Sequence, residues 1–325
     1  MAINPGALRY NNDSNKLELF DGNQWVEIVA SSPDSQTGGA RGLFSGGYST
    51  INVIDYITIS TTGNAIDFGD LTVSRYSAGS CASNTRGLTG GGYSGIYQNT
   101  IDYVTISSTG NAQDFGDLTV GREAPIGCTS NSTRGLWCGG STPGQYYNII
   151  DYVTIASTGN ANDFGDISVS KTQIASCSSS TRALFAGGYS ATTIIDYVII
   201  STTGNATKFG DLTVARLAFS GCSSSVRGIF GGGATPSNSN VIDYVTINSN
   251  GNAVDFGDLS VAVVANGSCS SSTRGVFGAG TITPAIYVNT IEYVTISSTG
   301  NSIDFGDRTV GKTNVAACSN GHGGL

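Results

Sequence analysis

The stretch "ISSTGNAQDFGDLTV", Ile106 to Val120, returns near the end of the chain as "ISSTGNSIDFGDRTV", Ile296 to Val310. Its core, Phe-Gly-Asp, occurs six times, with the aspartate at Asp70, Asp117, Asp166, Asp211, Asp258 and Asp307. The spacings are 47, 49, 45, 47 and 49 residues, a period of about 47. A reaction centre is a single place, so a string used six times is architecture, and the period sets the fold.

Each unit reads as four short segments. The first is a run of small residues around a cysteine ("GSCAS", "ASCSSS"). The second is an arginine, apolar residues and a glycine run, as in "RGLFSGG" (Arg41–Gly47) and "RGIFGGG" (Arg227–Gly233). The third, "TIDYVTIS", is rich in β-branched and aromatic residues, and the fourth is "DFGDLTV". The Gly-Asn of "STGN" between the last two suits a hairpin turn. Four strands per unit, repeated six times, predict an all-β six-bladed β-propeller with four-stranded blades.

Composition agrees. Charged residues are 12% of the chain, against roughly 25% in ordinary globular proteins. There are 46 glycines in 325 residues, about twice the usual share. Glycine, asparagine and serine supply turns; Val, Ile, Thr and Tyr suit pleated surfaces. The formal charge of −8 disfavours nucleic acid and anionic membrane surfaces as partners. No apolar run approaches the length of a bilayer span, and the start lacks the pattern of a signal peptide.

The order of glycine run, hydrophobic-acid-aromatic strand and closing basic residue resembles the kelch repeat. The closing residues are Arg75, Arg122, Lys171, Arg216 and Lys312; the fifth unit reads "VAVVANG" and lacks one. The resemblance runs from near Ser35 to Leu325. It departs from the kelch pattern in lacking the outer-strand tryptophan, for which Phe115 and its equivalents substitute. The last cysteine segment, "ACSNGHGGL", has no later blade to join, while the first blade begins directly with "RGLFSGG". The C-terminal strand is therefore expected to complete the first blade and close the ring.

Residues 1–33 stand outside the repeat, leaving 34–325 as the propeller. "GALRYNNDSNKLELFDGNQWVEI" alternates apolar and polar residues around two turns and predicts a three-stranded meander. This segment resembles the opening stretch of tailed-phage structural proteins and fibres. The resemblance implies attachment to other virion proteins, a virion location and a varied distal domain.

A kinase reading of Asp-Phe-Gly fails without a His-Arg-Asp loop, since the only histidine is His322. Calcium at "DFGD" is disfavoured because Lys208 replaces the first aspartate in "TKFGD". No metal and no cofactor are expected. The six aspartates are assigned a turn or strand-start role, accepting backbone N–H groups. Arg41, Arg86, Arg134, Arg182, Arg227 and Arg274 are read as structural, pairing with outer-strand aspartates. Cys81, Cys128, Cys177, Cys222, Cys269 and Cys318 are placed at one position in successive blades, too far apart to bridge; Cys138 is an extra. Copper chemistry lacks histidines, Ser-His-Asp hydrolysis would rest on His322 alone, and a glycosidase would need an acid pair outside the repeat.

The units differ where one would look for recognition. "SSSTRG" and "STTGNA" recur nearly unchanged, whereas "GGYSGIYQNT", "GGSTPGQYYNII" and "GAGTITPAIYVNT" diverge, as do the blade-to-blade segments. Loops on a rigid scaffold carry binding, and Tyr with Ser, Gly and Asn suits it. The candidate binding residues are Tyr93, Tyr97, Tyr146, Tyr147, Tyr287 and Glu123. The expected function is a non-enzymatic phage virion component, a tail fibre or capsid-surface appendage, binding a host-surface glycan or protein. The alternatives are a carbohydrate-active enzyme or lectin, with Glu123 as the first acid to mutate, and an intracellular peptide-binding scaffold. Deleting residues 313–325 is expected to cripple folding; a truncated chain with unchanged thermal stability would refute the assigned closing strand.

Overall fold

The computed structural model describes residues 4, 6–11, 16–27, 39–124, 127–189, 191–282 and 286–325. Among these the chain is all-β, without helices. It divides into two units, Met1–Thr37 and Gly38–Leu325. The expected boundary at residue 33 falls outside the described residues.

The small unit is an antiparallel meander of Leu8–Asn11, Lys16–Phe20 and Trp25–Glu27. The Asp21 carboxylate accepts the N–H groups of Asn23 and Gln24 at 2.8 and 2.9 Å, closing the "DGN" turn. Those bonds, Gln24 first, hold its carboxyl below the usual value. Arg9 lies over the Trp25 ring and pairs with Glu18. The "NNDSN" turn falls partly outside the described residues.

The large unit holds six four-stranded antiparallel sheets, a propeller-like arrangement. The second sheet is typical: Gly79–Ala82, Arg86–Gly90, Thr100–Thr105 and Gln113–Asp117, in chain order. The third to sixth sheets repeat it within 127–166, 175–211, 220–258 and 267–307. The first sheet is assembled from both ends of the unit. Ala316–Ser319 pairs with Arg41–Ser45, followed by Val53–Thr58 and Ile66–Asp70.

Burial falls across each sheet. First strands are almost wholly buried, third strands are buried at about half of their positions, and in the fourth only the phenylalanine is consistently buried. The core therefore lies between sheets. Leu136, Ile150 and Phe164 of the third pack with Phe185, Val198 and Ile200 of the fourth. Each such side chain contributes about 1.5–3 kcal/mol when fully buried. In all six sheets the third-strand tyrosine meets the fourth-strand phenylalanine edge to face, as Tyr103 meets Phe115 at 5.9 Å.

The opening string acts through its backbone. The ladder shifts register across Phe115, between Asp114 and Gly116. The Phe115 carbonyl accepts the Gly159 N–H at 2.8 Å, from the "STGN" turn of the next sheet. Asp117 N–H donates to Asn160 Oδ1 at 3.1 Å, and its carbonyl accepts Ala161 N–H. Gly116 has φ +146°, and a Cβ there would strike the Gly159 carbonyl, so no other residue fits. The same clasp joins every sheet to the next, and Phe305 and Asp307 of the sixth sheet bind Gly63 and Asn64 of the first. This corrects the expected role of the aspartates. Each ends its fourth strand instead of starting one, and its main chain, not its carboxylate, makes the repeated contact.

The repeated arginines also differ from expectation. They do not pair with aspartates. Arg86 lies 4.8 Å from the Tyr103 ring centre and donates to the Ile155 carbonyl of the next sheet, and the other five follow suit. Strand alternation is the reason. Asp102 and Tyr103 are neighbours and point to opposite faces, and the arginine shares the tyrosine's face.

The acids pair instead with the residues that close the units. Arg75–Asp102, Arg122–Asp151 and Arg216–Asp243 meet at 2.7, 2.8 and 2.7 Å, fully buried. Lys171 reaches Asp196 only at 3.6 Å. In the first sheet the cation is Arg308, 2.8 Å from Asp55, and not the closing residue Lys312. A Thr or Ser hydroxyl also donates to each acid, as Thr119 does to Asp151 at 2.6 Å.

Cys128 is the last correction. Register places Thr129, opposite Leu136, where Cys177 stands opposite Leu184, so Cys128 is one residue out of step. A strand alternates, and Cys128 therefore turns back toward the preceding sheet, where it packs beside Cys81. Burial, then this contact, pushes it well up. These two thiols share one gap, contrary to the expected separation. All seven cysteines are free.

Asp243→Ala would strand Arg216 without its partner and should cost about 3–5 kcal/mol in denaturant unfolding. Lys171→Arg should restore the short guanidinium–carboxylate contact of the sibling sheets and raise the midpoint; a fall would contradict the assigned pairing.

Candidate binding face

The two ends of the sheets are built differently. At one end, the turns between first and second strands lie beside those between third and fourth. Ile106 N–H binds Thr85 O, and the clasp described above spans this end. At the other end, the loops between second and third strands meet the crossings from sheet to sheet. Gly92 N–H binds Arg122 O, Tyr76 bridges Tyr93, and Glu123 bridges Ser141. The crossings anchor in the buried cations, so the loops between them vary above a fixed base.

On this base the tyrosines form a continuous array. Tyr287 contacts Tyr48 at 5.9 Å between ring centres, Tyr48 contacts Tyr76 at 5.2 Å, Tyr76 contacts Tyr93 at 5.7 Å, and Tyr93 contacts Tyr97 at 5.1 Å. Five rings thus run from the loop of the sixth sheet across the first to the second. Tyr48 and Tyr287 are about two-fifths exposed, which leaves aromatic surface open to a ligand. Glu123 lies beside the inner end. Burial raises its carboxyl above the usual value. Burial and then the Glu123 charge raise the phenols of Tyr76 and Tyr97.

The structure thus brings together four of the six expected binding residues: Tyr93, Tyr97, Tyr287 and Glu123. Tyr146 belongs to a second patch with Tyr189, 5.1 Å away. Tyr147 is turned into its own hairpin, with its hydroxyl 3.1 Å from Thr142 Oγ1. Tyr48, Tyr76 and Tyr189 were not singled out from the sequence. For Tyr48 and Tyr189 the signal was present, because "GGYS" opens three of the loops and places a tyrosine at the same step each time.

His322 Nδ1 accepts the Gly324 N–H, which puts the ring proton on Nε2, 2.9 Å from the Ala82 carbonyl. Nε2 is then a donor and does not serve as a base for Ser130, 3.3 Å away. Among the described residues no three His, Cys, Asp or Glu side chains converge as metal ligands. No protein-family model matches the chain, and no curated protein matches it by sequence.

Because Glu123 is raised in the fold, stability is highest where it is protonated and falls as pH rises through its folded value. Glu123→Gln should remove that slope and let Tyr76 and Tyr97 ionise at lower pH, read by ultraviolet phenolate titration. Unmoved tyrosines would contradict the assigned proximity.

Proposed function

We propose that this protein is a non-enzymatic virion component, a kelch-like six-bladed propeller displayed through its N-terminal meander. Its loop end binds a host-surface glycan or a neighbouring virion protein. The observation that carries the binding role is the array of five tyrosines with Glu123. Phenol rings offer flat apolar faces with hydroxyl rims, which suits sugar rings and protein surfaces alike. Arg75 and Arg122 are buried and committed to Asp102 and Asp151, and Glu123 adds a negative charge, which disfavours an anionic glycan at that end of the array. A neutral one fits better.

Three contacts of the sixth sheet with the first support a closed ring of blades. They are the Gly63 N–H to Phe305 bond, Arg274 on the Ile59 carbonyl, and the Arg308–Asp55 pair. The strand Ala316–Ser319 supports it too, pairing with Arg41–Ser45. The virion setting rests on the sequence resemblance of the meander.

Mass spectrometry of purified particles should detect the chain, and its absence there would sink the virion reading. The isolated protein should bind host cells or an extracted neutral glycan, and Tyr76→Ala with Tyr93→Ala should reduce that binding at least about tenfold. Undiminished binding would remove the array from the assignment. Polysaccharide turnover abolished by Glu123→Gln would favour the enzymatic alternative.

A further inference from the structure

In the sixth sheet the buried pair is altered. Val263 stands where Arg75, Arg122, Lys171 and Arg216 close the other units, and the acid is Glu292. A cavity of about 60 Å³ lies there. Its walls include Phe277, Ala279, Thr290 and Glu292. These are the positions whose equivalents hold the Arg216 guanidinium: the carbonyls of Phe230, Gly232 and Val241, and the Asp243 carboxylate. The acceptors that take an arginine in the fifth sheet are thus reproduced in the sixth.

A second departure points into the same place. Asn266 occupies a position that is apolar in other sheets: Ala78, Ile174, Phe219 and Val315. It is 4% exposed and lines the cavity, and its Oδ1 has no partner. An unpaired buried acceptor is costly, and here it adds to a set already made of acceptors. Glu292 keeps Ser260 and Ser302 as donors, and a carboxylate still has lone pairs for more.

We propose that this cavity is a binding site for a guanidinium group. A planar guanidinium offers five N–H donors and tolerates apolar surface on its faces. The Phe277 ring suits one face, as Phe44 at the same repeat position lies 5.5 Å from the Arg308 guanidinium. An ammonium is the poorer match, since Lys171 does not come within hydrogen-bond reach of Asp196 in the sibling site. The mouth opens at the loop end, where the wall residue Val261 is 47% exposed. The site stands on this geometry alone and does not depend on the virion reading.

The test titrates the full chain with methylguanidinium at millimolar concentration, with urea and tetramethylammonium as controls. A saturable rise in Tm of about 2–4 °C is expected with methylguanidinium alone. Val263→Arg should fill the cavity from within and abolish the response. Should that variant fail to fold, Asn266→Leu, which restores an apolar residue, should weaken binding about tenfold. The tripeptides Gly-Arg-Gly and Gly-Lys-Gly separate the sources. Binding of the arginine peptide assigns the site to a partner's side chain, and binding of methylguanidinium without it assigns the site to a free guanidino compound. No saturable rise, or an equal rise in both variants, would overturn the proposal.

Discussion

The buried cation–carboxylate joint is the constraint on which the sheet assembly depends. Each closing cation leaves the crossing after one sheet and reaches an acid in the middle of the next, so the contact fixes the spacing of neighbours. Such a pair is costly to desolvate and adds little net stability over an apolar replacement. What it adds is discrimination. Any slip of one sheet against the next leaves a charge buried and alone, a far larger penalty than a lost apolar contact. Burial pulls the guanidiniums of Arg75, Arg216 and Arg308 down, and their aspartates oppose it. The hydroxyl that joins each acid, from Thr72 to Thr309, secures the carboxylate from a second side.

The clasp at the opposite end has another character. It is made of main-chain groups and one asparagine, so it tolerates change in side chains but none in backbone course. Gly116 and its five equivalents must approach a carbonyl closely, and the turn asparagine must reach across to the next strand. That end is therefore held constant by geometry. The loop end is tied down at the crossings, by a few backbone bonds and, for five of the six sheets, one buried cation, and its loops can differ in length and residue. Uniformity and variation within one chain thus follow from where the hydrogen bonds fall.

The repeat, its four segments and the two unequal ends were legible because they are one-dimensional: period, alternation and turn residues suffice. Pairing partners were not, because they depend on which face a side chain takes and how far it reaches. The arginines of "TRG" were matched to aspartates by charge, although alternation sets them on the tyrosine face. Arg308 passed unnoticed because it stands where other units have leucine or isoleucine, while Lys312 holds the formally equivalent place. Cys128 looked regular by eye and is displaced by one residue, which in a strand means the other face. The tyrosine array was half visible. Tyr93, Tyr97 and Tyr287 stood out in divergent loops, but Tyr48 and Tyr76 join them only through ring contacts between separate segments, which spacing does not show.

A repeat also supplies its own controls, and in this chain departures come in groups. Gly42, Gly87, Gly135, Gly228 and Gly275 leave room for a cysteine thiol of the preceding sheet. The fourth sheet has Ala183 at that position, and there the third sheet presents Thr129, because Cys128 is the residue out of step. In the sixth sheet the missing cation comes with Glu for Asp and with Ser302 where other units carry alanine; Ser302 donates to that acid. These changes compensate one another and need no ligand to explain them. Asn266 does not fit that scheme. Its Nδ2 donates to the Gly231 carbonyl, but its Oδ1 is left as a buried acceptor without a partner in a cavity that Glu292 also lines. A position that worsens the local balance while its neighbours repair theirs is where a donor from outside the chain belongs.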